Sequence, residues 1–204
     1  MVKQASGVKV GNGFDEGVTH GPIQNSMQYE RVKGFFAEIE KQGQKVAVGG
    51  KNEHGSKGYF ITPTIIDNPP DDSRIVVEEP FGESVFRSSK TTQAPPSISQ
   101  FVNSDFVTTG PIVPILSWKT EDEVIARANN TKMGLGASVW SSNIETAERI
   151  ARQLEAGNVW VNTHFDLSPV LPFGGAKESG MGVEWGLQGL KAYCQTQVLA
   201  VNKL

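Results

Sequence analysis

The chain has 204 residues, 38% apolar and 20% charged, with a formal net charge of −3 from 19 Lys and Arg against 22 Asp and Glu. That length fits one sizeable domain, or part of a larger one, with a real hydrophobic core. The scattered, nearly balanced charge leaves no electrostatic footprint for nucleic acid, and no apolar run approaches the roughly 20 residues of a membrane span.

The opening Met1-Val2-Lys3-Gln4-Ala5-Ser6-Gly7 has no continuous apolar stretch behind it of the kind a secretory signal carries, so the expected compartment is the cytoplasm. Cys194 is the single cysteine, which excludes an internal disulfide. His20, His54 and His164 lie too far apart in sequence to suggest a local metal-ligand cluster. Each Gly run lacks either the third glycine of the dinucleotide fingerprint or the Gly-Lys-Ser/Thr ending of a P-loop, so a nucleotide would find only part of its site here.

Over residues 25–43 the apolar Val32, Phe35, Phe36 and Ile39 recur at helical spacing, with Asn25 or Ser26 as a start signal and Gly43 as a stop; this predicts an amphipathic helix. Val46-Ala47-Val48 and then Tyr59-Phe60-Ile61-Thr62-Pro63-Thr64-Ile65-Ile66 are rich in aromatic and branched residues and predict extended chain. Pro63 argues for an edge or a bulge there. Arg74-Ile75-Val76-Val77 predicts another short extended run before the turn-prone Pro80 and Gly82.

Residues 112–118 predict a strand, and Thr120 with Glu123 forms a capping box for a helix carrying Val124, Ile125 and Ala128. The alternation repeats: Ala137-Ser138-Val139-Trp140 as strand, then a helix from Asn143 with Ala147, Ile150, Ala151 and Leu154 as one stripe ending at Gly157, then Val159-Trp160-Val161 as a buried strand. Strands alternating with helices predict an α/β domain with a largely parallel sheet flanked by helices. Beyond Phe173, glycines 174, 175, 180 and 182 crowd together, a short helix is expected near 185–193, and Thr196-Gln197-Val198-Leu199-Ala200-Val201 predicts a final strand. Such an edge is either paired within the chain or added to a sheet of another subunit or domain.

Two stretches carry a family resemblance: Val77-Glu78-Glu79-Pro80-Phe81-Gly82, and Pro172-Phe173-Gly174-Gly175-Ala176-Lys177-Glu178-Ser179-Gly180-Met181-Gly182. Both resemble the aldehyde dehydrogenase superfamily. Further matches follow in order: Val10-Gly11-Asn12-Gly13-Phe14-Asp15, His20-Gly21-Pro22, Gly58-Tyr59-Phe60-Ile61-Thr62-Pro63-Thr64, Met133-Gly134-Leu135-Gly136-Ala137 and Gly157-Asn158-Val159-Trp160-Val161-Asn162. Ordered matches along nearly the whole chain are far more specific than any single short motif. The resemblance implies a carboxyl-terminal portion of an NAD- or NADP-dependent aldehyde dehydrogenase: an incomplete catalytic domain over 1–194 and an oligomerisation strand over 195–204.

In that family a cysteine thiolate attacks the aldehyde, hydride passes to the nicotinamide, and a glutamate activates water to release the acid. The resemblance gives Glu79 the role of accepting hydrogen bonds from a cofactor ribose and Phe81 that of packing near the nicotinamide. It gives Leu167 and Phe173 places along the apolar substrate funnel, with His164 and Phe165 in the loop where family members vary. For Phe173 a core role is the competing reading. Gly174, Gly175 and Gly180 are expected to supply backbone angles that side chains forbid. The resemblance puts the family's nucleophile and base in segments preceding those matched here, so no catalytic residue is assigned. Cys194 follows a helix instead of lying in a Gly-rich context, and a small buried apolar role is expected for it.

One departure is abrupt. The family runs directly from Phe-Gly into Pro and a strand, yet residues 83–110 separate Gly82 from Pro111. This segment holds Pro95-Pro96 and six serines, without helical or strand period. Its sharp boundaries suggest a translated intron, with a genuine surface loop as the rival reading, and residues 88–104 are expected to be mobile in either case. The chain on its own is therefore expected to be inactive. The partners implied are an aldehyde and, through residues 196–201, further copies of the chain. The rival functions are a non-catalytic subunit that joins full-length dehydrogenase chains, and a truncated gene product.

Overall fold

The computed structural model describes residues 2–50, 58–78 and 111–203, together with the backbone of 85–88 and 98–102. In chain order the elements are α1 (Val2–Ser6), α2 (Ser26–Lys41), β1 (Val46–Val48), β2 (Thr64–Asp67), α3 (Arg74–Val77), β3 (Val85–Ser88), β4 (Ile98–Val102) and β5 (Ile112–Trp118). There follow α4 (Glu121–Asn129), β6 (Met133–Gly134), β7 (Gly136–Ser141), α5 (Ile144–Ala151), β8 (Asn158–Val161), β9 (Ala176–Lys177) and α6 (Gly186–Ala192). Seven strands form one sheet in the order β1-β2-β5-β3-β4-β7-β8, and β6 pairs with β9 apart from it. Pairing is parallel for β2 with β5, β3 with β5 and β7 with β8, and antiparallel for β1 with β2, β3 with β4 and β4 with β7. The α/β class with flanking helices is the architecture observed. No helix among the described residues is long and apolar enough to cross a membrane.

The period of two along β5 divides the core. Ile112 packs with Val32, Phe35, Phe36 and Ile39 of α2, while Leu116 and Trp118 pack with Val124, Val139, Ala147 and Ile150 beneath α4 and α5. Val113 and Ile115 point the other way, against Ile65 and Ala5 of α1. Each large apolar side chain so buried contributes roughly 1.5–3 kcal/mol.

The helix starts follow their cap residues. Asn25 Oδ1 accepts from the Gln28 amide at 2.9 Å and Asn143 Oδ1 from the Thr146 amide at 3.0 Å. At α4, Thr120 Oγ1 accepts from the Glu123 amide at 3.2 Å, while Glu123 Oε2 reaches back past the cap to the Lys119 amide at 3.0 Å. That amide, foremost, holds the Glu123 carboxyl below the usual carboxylate range. α5 closes at Ala151, earlier than the Gly157 expected, yet Ala151 and Leu154 still pack on the same cluster.

Several expectations need correction. Residues 74–77 form a helix, not extended chain. Arg74 decides this: its Nε bonds Glu78 one turn on at 2.9 Å, its Nη1 reaches Glu38 of α2 at 3.2 Å, and its guanidinium lies 4.4 Å over the Phe35 ring. Tertiary anchoring outweighs the weak preference of branched residues for strands. Pro63 marks neither an edge nor a bulge of β2. It precedes that strand, which lies between β1 and β5. The irregularity in the ladder falls on β1, between Val46 and Val48. The segment read as lacking strand period contributes β3 and β4, which stand between β5 and β7; the rest of 83–110 lies outside the described residues. Residues 194–203 form no strand, so the expected terminal strand makes no ladder within this chain.

Two outcomes are expected. In hydrogen exchange, amides of 85–88 and 98–102 should be protected alongside those of 112–118 and 136–141, and exchange of the first two at unfolded rates would remove them from the sheet. Because folding lowers the Glu123 pKa, its stabilising contribution is present above the unfolded value near ~4.3 and is lost as the pH falls through the folded value. The stability gap between wild type and Glu123→Gln, read by urea unfolding, should therefore be full above about pH 5 and close on acidification.

Candidate functional site

β7 and β8 lie side by side with Ser138 opposite Trp160 and Val139 opposite Val161. Val139 faces the core under α5, so Ser138 and Trp160 share the opposite face of the sheet. At the end of β8 the chain turns through two left-handed residues, Asn162 at φ 54° and Phe165 at φ 56°. Asn tolerates this conformation readily; for Phe it is an outlier that costs on the order of 1–3 kcal/mol.

Side-chain bonds to β7 fix the turn. Asn162 Oδ1 accepts from the Ser141 amide at 2.8 Å, and its Nδ2 donates to the Ser141 carbonyl at 2.9 Å. Ser138 Oγ lies 2.5 Å from His164 Nδ1. Trp160 Nε1 donates to the Asp166 carbonyl at 3.0 Å. Farther on, Phe173 and Glu184 exchange both backbone hydrogen bonds at 2.8 Å, which brings Trp185 beside Phe173.

These bonds align five rings in a row. Trp160 meets His164 edge-on, centroids 5.3 Å apart, and Phe165 at 6.1 Å; Phe165 meets Phe173 edge-on at 6.2 Å; Phe173 meets Trp185 at 5.7 Å. The spacings are those of favourable aromatic pairs. His164 and Phe173 are half-buried, while Phe165 is 46% and Trp185 40% exposed, so the row presents an accessible apolar wall. Leu167 is half-buried in the same loop, between the carbonyl that receives Trp160 and the turn closed by the Leu171 amide on Ser168.

Of the residues singled out in the sequence, the structure thus brings His164, Phe165 and Phe173 together. Trp160 and Trp185 were missed. Trp160 was read within a buried strand, but all four residues of β8 are only half-buried; the alternation Asn158, Trp160, Asn162 against Val159, Val161 was the available signal. Glu79 and Phe81 lie outside the described residues. The chain leaves α3 at an extended Glu78, which with Val77, Glu38 and Arg74 borders a surface depression of about 490 Å³.

Cys194 is exposed, not buried as expected, and its Sγ lies 3.5 Å from the Leu190 carbonyl. Among the described residues no three His, Cys, Asp or Glu side chains gather to hold a metal ion. Of the three glycines expected to need special angles, only Gly180, at φ 113°, has one. Gly174 is required for space: a Cβ there would stand 2.7 Å from the Gly182 carbonyl oxygen, and one on Gly157 only 1.9 Å from that of Gly174.

The family model described as "Aldehyde dehydrogenase family" matches residues 1–94 and 105–199. The mitochondrial aldehyde dehydrogenase of Leishmania tarentolae is 36% identical over 97% of this chain and 34% of its own length. For cytosolic aldehyde dehydrogenase 1 of Rattus norvegicus the figures are 34%, 98% and 34%. The NAD+ complex of an aldehyde dehydrogenase from Bacillus cereus superposes with a TM-score of 0.75 at 36% identity, covering 94% of this chain and 33% of that one. The chain spans about a third of the length of the curated relatives it matches.

Gly157→Ala should force the start of β8 away from the Gly174 segment and destabilise the fold by about 3 kcal/mol, the upper range for overpacking. Urea unfolding measures the loss, and a change under 1 kcal/mol would refute the close approach.

Proposed function

The chain belongs to the aldehyde dehydrogenase family, and from that premise we propose that its residues shape the aldehyde entrance and close the cofactor site of an enzyme oxidising an aldehyde to a carboxylic acid. The observation that carries this reading is the accessible ring row from Trp160 to Trp185, which contains three of the four residues the resemblance places in the funnel or its variable loop. A wall of ring faces and edges favours an apolar group behind a reactive carbonyl, and it excludes water that would compete for the carbonyl carbon.

The side-chain chemistry of Glu79 and Phe81 fits a nicotinamide dinucleotide. A carboxylate accepts hydrogen bonds from two adjacent ribose hydroxyls, and a ring face supports a flat heterocycle. NAD or NADP, when bound, accepts the hydride; Glu79 and Phe81 orient it and this chain's rings orient the aldehyde. The nucleophilic cysteine and the glutamate base belong, on this reading, to segments outside these 204 residues, and Cys194 does not replace the former.

The tail at 196–201 is proposed to add as a strand to another subunit. In support, Val198, Leu199 and Val201 are 87%, 83% and 75% exposed. The same exposed tail favours a second reading, a subunit that joins longer dehydrogenase chains without catalysing. A cytoplasmic location has the cytosolic relative on its side, while the other is named mitochondrial.

The 204-residue chain, assayed with NAD or NADP and a panel of aldehydes, is expected to show no turnover, and Cys194-dependent turnover would defeat the proposal. In a longer chain that also carries the cysteine and the glutamate, Phe165→Ala or Phe173→Ala should raise KM for a bulky apolar aldehyde about 10-fold with little change in kcat. Unchanged KM values would show that the ring row is not the entrance.

A further inference from the structure

We infer that Ser138, on β7 and outside the ring row, is a positioning residue for it: its hydroxyl holds the His164 ring, and through that ring sets the row's fit to aromatic aldehydes. The inference rests on the reading of the row as the aldehyde entrance.

Ser138 is 1% exposed on a strand whose neighbours Ala137 and Val139 are also buried. A hydroxyl in such a place is costly unless it is hydrogen-bonded, and His164 Nδ1 at 2.5 Å is the bond it makes. Either the hydroxyl donates to a bare Nδ1 or Nδ1–H donates to the hydroxyl; both fix the ring plane. That plane matters because His164 stands edge-on to Trp160 at 72° and is also 6.1 Å from Phe165. Among the described residues, side chains tie the loop to β7 at two places, Asn162 on Ser141 and His164 on Ser138. The first fixes where the turn begins. The second lies next to Phe165, whose left-handed backbone is held against its own preference. Loosening His164 therefore loosens its neighbour Phe165, and the middle of the row loses its geometry. A small aldehyde that spans less of the row should feel this little.

Alcohols of the same shape report on the row without condensing with lysine amines, so the test uses para-fluorobenzyl alcohol and trifluoroethanol, followed by fluorine NMR on the 204-residue chain. Ser138→Ala should weaken the aromatic probe roughly five-fold and leave trifluoroethanol unchanged, and Ser138→Ala in a His164→Ala background should add nothing. Nitrogen NMR of the imidazoles should show the His164 Nδ1 resonance moving in Ser138→Ala while His20 stays in place. Additive losses, or an unmoved His164 resonance, would overturn the inference. If Phe165→Ala weakens the aromatic probe and Ser138→Ala does not, this inference alone fails. If Phe165→Ala binds it as wild type does, or the wild-type chain shows no saturable binding, the entrance reading falls and takes the inference with it.

Discussion

The side-by-side pairing of β7 with β8 is the constraint on which the ring row depends. Parallel strands in register place Ser138 beside Trp160 and aim the end of β8 at the loop that carries His164 and Phe165. The loop then departs through left-handed residues, a conformation with little to recommend it on local grounds, and bonds from Asn162 and His164 back to β7 offset that cost. On the far side of β8, the approach of Gly157 to Gly174 brings the Phe173 segment close enough for its ring to continue the row. Shape at the wall is thus decided by backbone geometry two elements away.

The sheet has a second peculiarity at its centre. β5 is buried on both faces and laddered on both edges, to β2 and β3, and β7 is laddered to β4 and β8. Such strands tolerate an open edge poorly, because unpaired amides and carbonyls have no water to meet. The strand that joins the two halves, β4, falls wholly within the gap at 95–104 that the family match skips. An element outside the family pattern thus occupies a position the sheet requires, in a chain a third as long as its relatives.

Much of this fold was legible because it is written in local signals. α2, α4 and α5 combine apolar periodicity with a cap that is physically made, and β5, β7 and β8 carry branched or aromatic residues between turns. The failures have a common cause in contacts that are distant in sequence. Ile75-Val76-Val77 looks like a strand until Arg74 is seen bridging to Glu38, 36 residues earlier. β3 and β4 have weak patterns of their own and exist through their neighbours' ladders. At the site, His164, Phe165 and Phe173 were found by resemblance, whereas Trp185 joins them only because Phe173 pairs with Glu184 across a Gly-rich loop. Ser138 gave no signal, since nothing on its own strand needs a hydroxyl.

Chemistry and selection call for different supports, and on the proposed reading this chain supplies the second kind. A nucleophile must be held to a fraction of an ångström beside its base, and Cys194, exposed just beyond α6, has its Sγ against the Leu190 carbonyl, which is no base. A selecting wall tolerates looser placement, because dispersion and ring electrostatics change gradually over the 5.3–6.2 Å that separate these centroids. What it cannot tolerate is a change in which ring faces the opening. That choice is discrete, set by rotamer and by backbone handedness. It follows that the residues with most leverage over selection are the hydrogen-bonding ones that decide orientation, and that the rings themselves only express the decision.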